Sequence, residues 1–232
     1  MSAQIMDNRQ KRELTTVIFD YGCVISLPQD EECVKRMYTL AGLSPEEFKR
    51  NYRSFRADYD RGALTAEEYW VKVTGDRGNN LSQEKLNRLI KEDIKSWTRT
   101  NPAVIEWALK LKKEGKRLAL LSNMPEDCAE YIREEFSDWL SRFDIIVFSY
   151  EIGINKPEPG IFKYCLDLLG EAPKNCLFID DTEKNITTAR ELGMDGIVFK
   201  DLTSITEPAV KIYNLPPVIE ISSITSGRTD SI

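Results

Sequence analysis

Five short apolar runs, alternating with segments of helical pattern, limit the folds open to this chain. Runs of three or four consecutive apolar residues are typical of strands that are buried on both faces. Strands that alternate with helices in this way form a parallel sheet covered on both sides. We therefore predict an α/β fold, a Rossmann-like core of three layers. The runs are residues 17–19, 118–121, 145–148, 176–179 and 196–199.

The alternation is interrupted after the first run by a long region of purely helical pattern. Ser44 with Glu47, and Thr65 with Glu68, have the spacing of capping boxes, and each pair precedes a segment with apolar residues at helical spacing. We predict a helical cap domain inserted into the core, with a loop at 75–80. The predicted divisions are the core at 14–27 and 98–205, the cap at 28–97, and irregular termini at 1–13 and 206–232.

Composition narrows the possible partners. The chain has 232 residues and a formal net charge of -6, with 38 acidic and 32 basic residues, which argues against nucleic acid as a partner. It has no apolar run near the roughly 20 residues of a membrane span, and residues 1–13 lack the apolar centre of a signal peptide. We expect a cytoplasmic protein without a membrane partner, either a monomer or a homodimer.

The sequence contains no histidine. This absence excludes histidine-based catalytic triads, histidine general acids and imidazole metal ligands. The five cysteines are an odd number without a Cys-x-x-Cys pair, so the sequence predicts neither a disulfide framework nor a zinc site. Catalysis by this chain must use carboxylates, lysine, hydroxyls, thiols or a hard metal ion.

Polar residues follow three of the predicted strands at the point where each ends. They are Asp20, Ser122 and the pair Asp180-Asp181. Ligands of open parallel sheets bind beyond the carboxyl ends of the strands, so these side chains are candidate site residues. We predict Asp20 as a nucleophile, and expect Gly22 to let the backbone turn sharply and present its carbonyl. The structural alternative is that these aspartates only cap helices or turns.

The predicted site suits a hard cation and a phosphate group. Three acids, Asp20, Asp180 and Asp181, would repel one another without a cation, and oxygen ligands without histidine favour Mg²⁺. Lys156, in a loop after the third strand, can reach a phosphate or pair with Asp20. The hydroxyl of Ser122 and the amide of Asn123 are donors suited to phosphoryl oxygens.

Four motifs in this order resemble those of the haloacid dehalogenase-like hydrolase superfamily, over about residues 15–202. Within it, the chain is most similar to phosphatases with a helical cap after the first motif. That group includes sugar-1-phosphate phosphatases and the amino-terminal phosphatase domain of soluble epoxide hydrolases. The motifs are Phe19-Asp20-x-Gly22-x-Val24, the strand ending in Ser122-Asn123, Lys156-Pro157, and Phe178-Ile179-Asp180-Asp181.

The resemblance implies that Asp20 attacks phosphorus and forms an aspartyl-phosphate that water hydrolyses. It further implies roles for the other motif residues. Mg²⁺ would be held by the carboxylates of Asp20 and Asp181 and the carbonyl of Gly22, with Asp180 acting through water. Lys156 would neutralise developing charge, and Ser122 and Asn123 would bind the phosphoryl oxygens.

One position departs from the family pattern. Most phosphatases of the superfamily have a second aspartate two residues after the nucleophile, which protonates the leaving group, whereas this chain has Gly22. General acid catalysis is typically worth about 10²–10⁴-fold. We therefore expect slow turnover, a substrate with a good leaving group, or a donor supplied by the substrate or the cap. Asp58, Tyr59 and Asp60 are the cap candidates.

The predicted function is a magnesium-dependent phosphatase acting on a small phosphorylated metabolite, with sugar phosphates as the first candidates. One alternative is a 2-haloacid dehalogenase. Those family members need no metal and do not keep the paired acids, so Asp180-Asp181 favours the phosphatase. The other alternative is a catalytically weak ligand-binding or regulatory protein. The substrate itself is not identified by the sequence, because specificity resides in the cap.

Overall fold

The computed structural model describes residues 14–75 and 81–219. Its sheet has five parallel strands in the order β3-β2-β1-β4-β5. The predicted irregular start at 1–13, most of the predicted loop at 75–80, and residues 220–232 lie outside the described residues. The strands are β1 Thr16–Phe19, β2 Arg117–Ser122, β3 Ile145–Phe148, β4 Cys176–Asp180 and β5 Asp195–Val198.

Helices cover both faces of the sheet. Side chains of α6, α7, α8 and α12 pack on one face, and those of α10 and α11 pack on the other. The predicted α/β fold with a Rossmann-like three-layer core is confirmed. The helices of the core are α6 Pro102–Lys113, α7 Glu126–Glu135, α8 Ser137–Leu140, α9 Ser149–Ile152, α10 Pro159–Leu169, α11 Glu183–Glu191 and α12 Leu202–Lys211.

The strand register decides where the polar residues meet. Phe19 at the end of β1 is level with Leu120 of β2 and Ile179 of β4. Because all the strands run in the same direction, Asp20 and Asp180 follow at the same edge of the sheet. The site therefore lies at the carboxyl ends of the central strands, as expected for a parallel sheet.

In its described part, the region between β1 and α6 contains helices and their connections but no strand of the sheet. We call α1–α5 the helical insertion. Both predicted capping boxes are present, since the side chains of Ser44 and Thr65 accept from the backbone N–H groups of Glu47 and Glu68. The insertion has a hydrophobic cluster separate from the two sheet faces. Its helices are α1 Glu31–Ala41, α2 Pro45–Ser54, α3 Arg56–Asp60, α4 Ala66–Thr74 and α5 Gln83–Ser96.

The predicted irregular tail from residue 206 is wrong for residues 206–211, which belong to α12. The Asp201 carboxylate caps this helix by accepting from the Ser204 N–H at 2.8 Å. Ile205 and Ala209, one turn apart, are fully buried against the sheet. Packing of this narrow apolar stripe outweighs the proline at position 208 within the helix. No helix in the described ranges is long and apolar enough to cross a membrane.

Candidate active site

Lys156 and Asp20 form a buried ion pair at the end of β1. The Lys156 Nζ lies 2.8 Å from Asp20 Oδ1, and the Lys156 side chain is 1% exposed. The Tyr21 N–H donates to the same oxygen at 2.7 Å. These two donors orient the carboxylate. The other oxygen of Asp20, Oδ2, accepts no hydrogen bond from residues 14–75 or 81–219. Burial raises the pKa of Asp20 to about 7, against the opposing charge of Lys156.

Asp180 is the second carboxylate on Lys156 and is fully buried at the end of β4. Its Oδ2 lies 2.7 Å from the Lys156 Nζ. The Thr182 N–H donates to Oδ1, and the Asn185 amide donates to both oxygens at 2.9 and 3.0 Å. Burial alone would lower the pKa of Lys156, but the two carboxylates outweigh burial and the pKa is raised. Lys156 is therefore held as an ammonium between two strand ends.

Asp181 completes an acidic cluster and is its exposed member. One carboxylate oxygen from each of Asp20, Asp180 and Asp181 lies within 4.8 Å of the others. Burial raises the pKa of Asp181, and the Asp180 charge adds to this effect. Three carboxylates against one ammonium leave the cluster with an excess of negative charge. An all-oxygen donor set of this size and charge fits Mg²⁺.

The turn after Asp20 differs from its sequence-based description. Gly22 has φ -62° and ψ 128°, which any residue can adopt, and the left-handed residue is Cys23 with φ 56°. A Cβ built on Gly22 would meet no atom within 4 Å. The backbone turns here as expected, but the turn does not depend on the conformational freedom of a glycine at position 22. The Ser26 N–H closes the turn by donating to the Tyr21 carbonyl at 2.7 Å.

Ser122 is the last residue of β2 and Asn123 comes directly after it, on the side of β1 opposite to β4. Ser122 is buried and lines the cavity described below. The Asn123 amide donates to the Lys156 carbonyl at 2.9 Å, and its oxygen accepts from the Lys156 N–H at 2.7 Å. Both polar atoms of this side chain thus hold the Lys156 backbone. These contacts give Asn123 a positioning role and do not support the predicted binding of phosphoryl oxygens by its side chain.

A cavity of about 250 Å³ lies above the strand ends. Its floor includes Asp20, Ser122, Lys156 and Asp181, and its opposite wall comes from the helical insertion and the residue after it. The Arg56 guanidinium of that wall lies 2.6 Å from Asp60 Oδ1 and 2.8 Å from Asp93 Oδ2. The insertion residues lining the cavity, together with the following tryptophan, are Tyr52, Arg56, Asp60 and Trp97.

The helix α3 is attached to the loops that follow the core strands. The Tyr59 hydroxyl donates to Asp127 Oδ1 at 2.7 Å. The Ser149 hydroxyl donates to the Asp60 carbonyl, and the Asn155 amide donates to the Ala57 carbonyl at 2.7 Å. Residues from the segments after β2 and β3 thus bind one short helix. This attachment fixes the insertion wall relative to the floor.

The structure brings the sequence-predicted site residues Asp20, Gly22, Ser122, Asn123, Lys156 and Asp181 to one cavity, with Asp180 buried beneath it. Sequence reasoning missed two neighbours of the site. Asn185 is one turn into the helix after Asp180, and that spacing was the available signal. No sequence signal indicated Arg56, because an arginine among the polar residues of an amphipathic segment is ordinarily exposed.

The fold and the cavity together define a class: a doubly wound α/β protein with a charged site at the carboxyl ends of its parallel strands. The sequence pattern of a family described as haloacid dehalogenase-like hydrolase matches residues 16–193. The chain belongs to this family of hydrolases.

The relatives that the chain matches differ in length, so the chain spans only part of some of them and most of another. Rat bifunctional epoxide hydrolase 2 is 30% identical over 115 residues, which are 48% of this chain and 21% of that protein. The chain covers only 21–39% of the rat, pig and mouse epoxide hydrolases. D-ribitol-5-phosphate phosphatase of Bacteroides thetaiotaomicron is 24% identical over 190 residues, which are 78% of this chain and 90% of that protein.

A solved structure supports the fold. A mutant HAD family enzyme of Bacteroides thetaiotaomicron, in complex with magnesium and inorganic phosphate, matches with a TM-score of 0.67 at 24% identity. The match covers 81% of this chain and 94% of that one. At this level of identity the likeness concerns the fold.

Proposed function

We propose that this protein is a magnesium-dependent phosphatase that hydrolyses a small phosphorylated metabolite through an aspartyl-phosphate. The observation that carries the proposal is the convergence of Asp20, Lys156 and Asp181 on one cavity beyond the strand ends, with Asp180 buried beneath it. Family membership and the phosphatase among the relatives support it. Sugar and polyol phosphates are the first substrates to examine.

Asp20 is the nucleophile in this mechanism. Its Oδ1 is held by Lys156 and the Tyr21 N–H, which leaves Oδ2 to attack phosphorus. The attack forms an O–P bond to Asp20 and breaks the bond to the leaving oxygen. Attack requires the carboxylate form, and the adjacent ammonium of Lys156 favours that form against the effect of burial.

The carboxylates of Asp20 and Asp181 and the Gly22 carbonyl would hold Mg²⁺. When bound, the ion supplies charge neutralisation for the acids and for a phosphoryl group. Asp180 has a different role, because both of its oxygens already accept from Lys156, Thr182 or Asn185. It orients Lys156 and affects the metal only through water. A relative's complex with magnesium and phosphate is consistent with this assignment.

Ser122 and Lys156 would bind the phosphoryl oxygens at the cavity floor, and Asn123 would position the Lys156 loop. Preorganised donors of this kind stabilise the charge that develops during phosphoryl transfer. The helical insertion and its flanking residues, 28–97 in all, would form a cap domain that closes the cavity against water and contacts the leaving group. The division into a core and a cap domain is part of the proposal.

The test uses para-nitrophenyl phosphate, whose leaving group needs little protonation. We expect hydrolysis that requires Mg²⁺ and is lost in excess chelator. Asp20→Asn should lower kcat by at least about 10³-fold, because the amide cannot form the phosphoenzyme. The matched control is Asp167→Asn, the same chemical change at an exposed position of α10, which should leave kcat unchanged.

Three outcomes would contradict the proposal. Release of chloride from a 2-chloroalkanoic acid in excess chelator, without phosphatase activity, would identify a dehalogenase. Hydrolysis that survives both Asp20→Asn and chelation would reject Asp20 as the nucleophile. Absence of turnover together with Asp20-independent binding of a phosphorylated compound would favour a regulatory or ligand-binding protein.

A further inference from the structure

The position that supplies the leaving-group proton in most phosphatases of the family is Gly22 in this chain, so the donor must come from elsewhere. The helical insertion supplies the cavity wall that faces the strand ends. Assigning a proton donor among its residues rests on the phosphatase function proposed above. Three residues next to one another in α3 carry a titratable group: Asp58, Tyr59 and Asp60.

The three residues differ in their contacts and in whether they line the cavity. The Asp58 side chain is 46% exposed, pairs with Arg61 on the surface, and does not line the cavity. The Tyr59 hydroxyl already donates to Asp127, and burial raises its pKa, so it holds its proton in that contact. Asp60 alone of the three lines the cavity, and its side chain is 13% exposed.

We infer that Asp60 is the proton donor for the leaving oxygen and the base for the second step. In the first step, the O–P bond to Asp20 forms, the bond from phosphorus to the leaving oxygen breaks, and the Asp60 carboxyl proton passes to that oxygen. In the second step, the Asp60 carboxylate takes a proton from water as water attacks phosphorus. The bond to Asp20 breaks, phosphate leaves, and Asp60 is again protonated.

The backbone of Asp60 is fixed above the floor, as this role requires. The Ser149 hydroxyl donates to its carbonyl, and Ser149 also accepts from the Met124 N–H at 2.9 Å. Ser149 follows β3 and Met124 follows β2, so the loops beyond two core strands hold the donor in place. The Asn155 contact to Ala57 ties the same helix to the residue before Lys156.

The charges around Asp60 suit a donor at mildly acidic pH. Burial raises the pKa of Asp60 to about 6, and Asp93 of α5 and Asp127 of α7 add to the rise. Arg56 of α3 opposes the rise. The Arg56 guanidinium also donates to the hydroxyl oxygen of Tyr52, a residue of α2, at 2.7 Å. A raised pKa means that the proton is present below about pH 6 and is lost above it.

The experiment compares two substrates of nearly equal shape, phenyl phosphate and para-nitrophenyl phosphate. Phenol has a pKa of about 10 and must be protonated as it leaves, whereas nitrophenolate leaves without a proton. Leaving-group release is followed in a single turnover, which isolates the first step. Asp60→Asn should slow phenyl phosphate cleavage by about 10²-fold or more, and para-nitrophenyl phosphate cleavage by less than about tenfold.

Three further variants make the result specific. Asp58→Asn, on the same helix and outside the cavity, should behave as wild type. Asp60→Glu keeps a carboxyl group and should retain part of the phenyl phosphate rate. Gly22→Asp in the Asp60→Asn background places a carboxyl group where the structure has open space, and should restore phenyl phosphate cleavage. Because the reaction needs ionised Asp20 and protonated Asp60, kcat/KM of the wild type for phenyl phosphate should peak between about pH 6 and 7 and fall at higher pH. Asp60→Asn should lack this fall at higher pH.

The inference and the proposed function fail in different ways. If Asp60→Asn slows both substrates equally and keeps the pH profile, Asp60 is a structural residue and the inference is wrong. The phosphatase function would stand in that case, provided that Asp20→Asn is inactive on both substrates. If wild type cleaves neither substrate, the proposed function itself is wrong.

Discussion

At the scale of single residues, the site is organised around one ammonium group between two carboxylates. Lys156 pairs with Asp20 and Asp180 at 2.8 and 2.7 Å, and all three side chains are buried. Taking these charges out of water is costly unless each one has partners. The partners exist here because Thr182 and Asn185 complete the hydrogen bonds of Asp180.

Removal of the Lys156 charge should therefore destabilise the metal-free protein. Lys156→Met leaves two buried carboxylates without their counter-ion, and we expect a loss of about 3–5 kcal/mol in the free energy of unfolding. The measurement is urea denaturation in excess chelator. Lys112→Met is the matched control, since Lys112 pairs with Asp144 near the surface and should cost no more than about 1 kcal/mol. Equal losses of unfolding free energy in the two variants would show that the buried ion pair contributes no more to stability than the surface pair.

At the scale of elements, the five-residue helix α3 connects the insertion to the core. It carries Asp60 into the cavity wall and makes hydrogen bonds to Asp127, Ser149 and Asn155. Gly62, just after the helix, allows close packing, since a Cβ there would lie 3.2 Å from the Tyr150 carbonyl oxygen. Its φ of 73° also favours glycine.

Loss of one contact of α3 should weaken both stability and substrate binding. Tyr59→Phe removes the hydroxyl that donates to the half-buried Asp127, and we expect a loss of about 1–3 kcal/mol in the free energy of unfolding. KM for para-nitrophenyl phosphate should rise, because the insertion wall is less firmly held. Tyr131→Phe makes the same change on an exposed ring and should alter stability by less than about 0.5 kcal/mol. An unchanged KM in Tyr59→Phe would contradict the proposed role of this attachment.

At the scale of the whole molecule, charge and metal binding are linked to folding. The chain has a formal net charge of -6, and three of its acids converge at one point of the fold. These carboxylates are brought within 4.8 Å of one another only in the folded state. A cation that binds the cluster therefore binds the native protein in preference to the unfolded chain.

Magnesium should raise the thermal unfolding temperature. At a concentration about a hundred times Kd, binding to the native state adds about 2.7 kcal/mol to the free energy of unfolding. Asp181→Asn removes the exposed ligand and should abolish most of this increase, whereas Asp167→Asn on α10 should retain it. The measurement is thermal denaturation followed by circular dichroism with and without Mg²⁺. An equal increase in Asp181→Asn would place the metal elsewhere.

Most of the fold could be predicted from local pattern. Each strand was visible because a continuous apolar run between helical segments has few alternatives. The last helix, α12, was harder to predict from the sequence, because it buries only Ile205 and Ala209 and contains Pro208. Residues 126–140 form two helices, α7 and α8, that meet at Phe136, whose ring stacks on that of Trp139.

The sequence by itself determined which charged residues stand at strand ends, since the end of an apolar run and the charge that follows are both local features. Only the tertiary structure decided which partner each of them takes. Lys156 contacts Asp180 across 24 residues of chain, and Tyr59 contacts Asp127 across 68. The choice of Asp60 over Asp58 for the cavity likewise depends on how α3 attaches to the core. Such contacts arise from packing between distant segments, which no local pattern specifies.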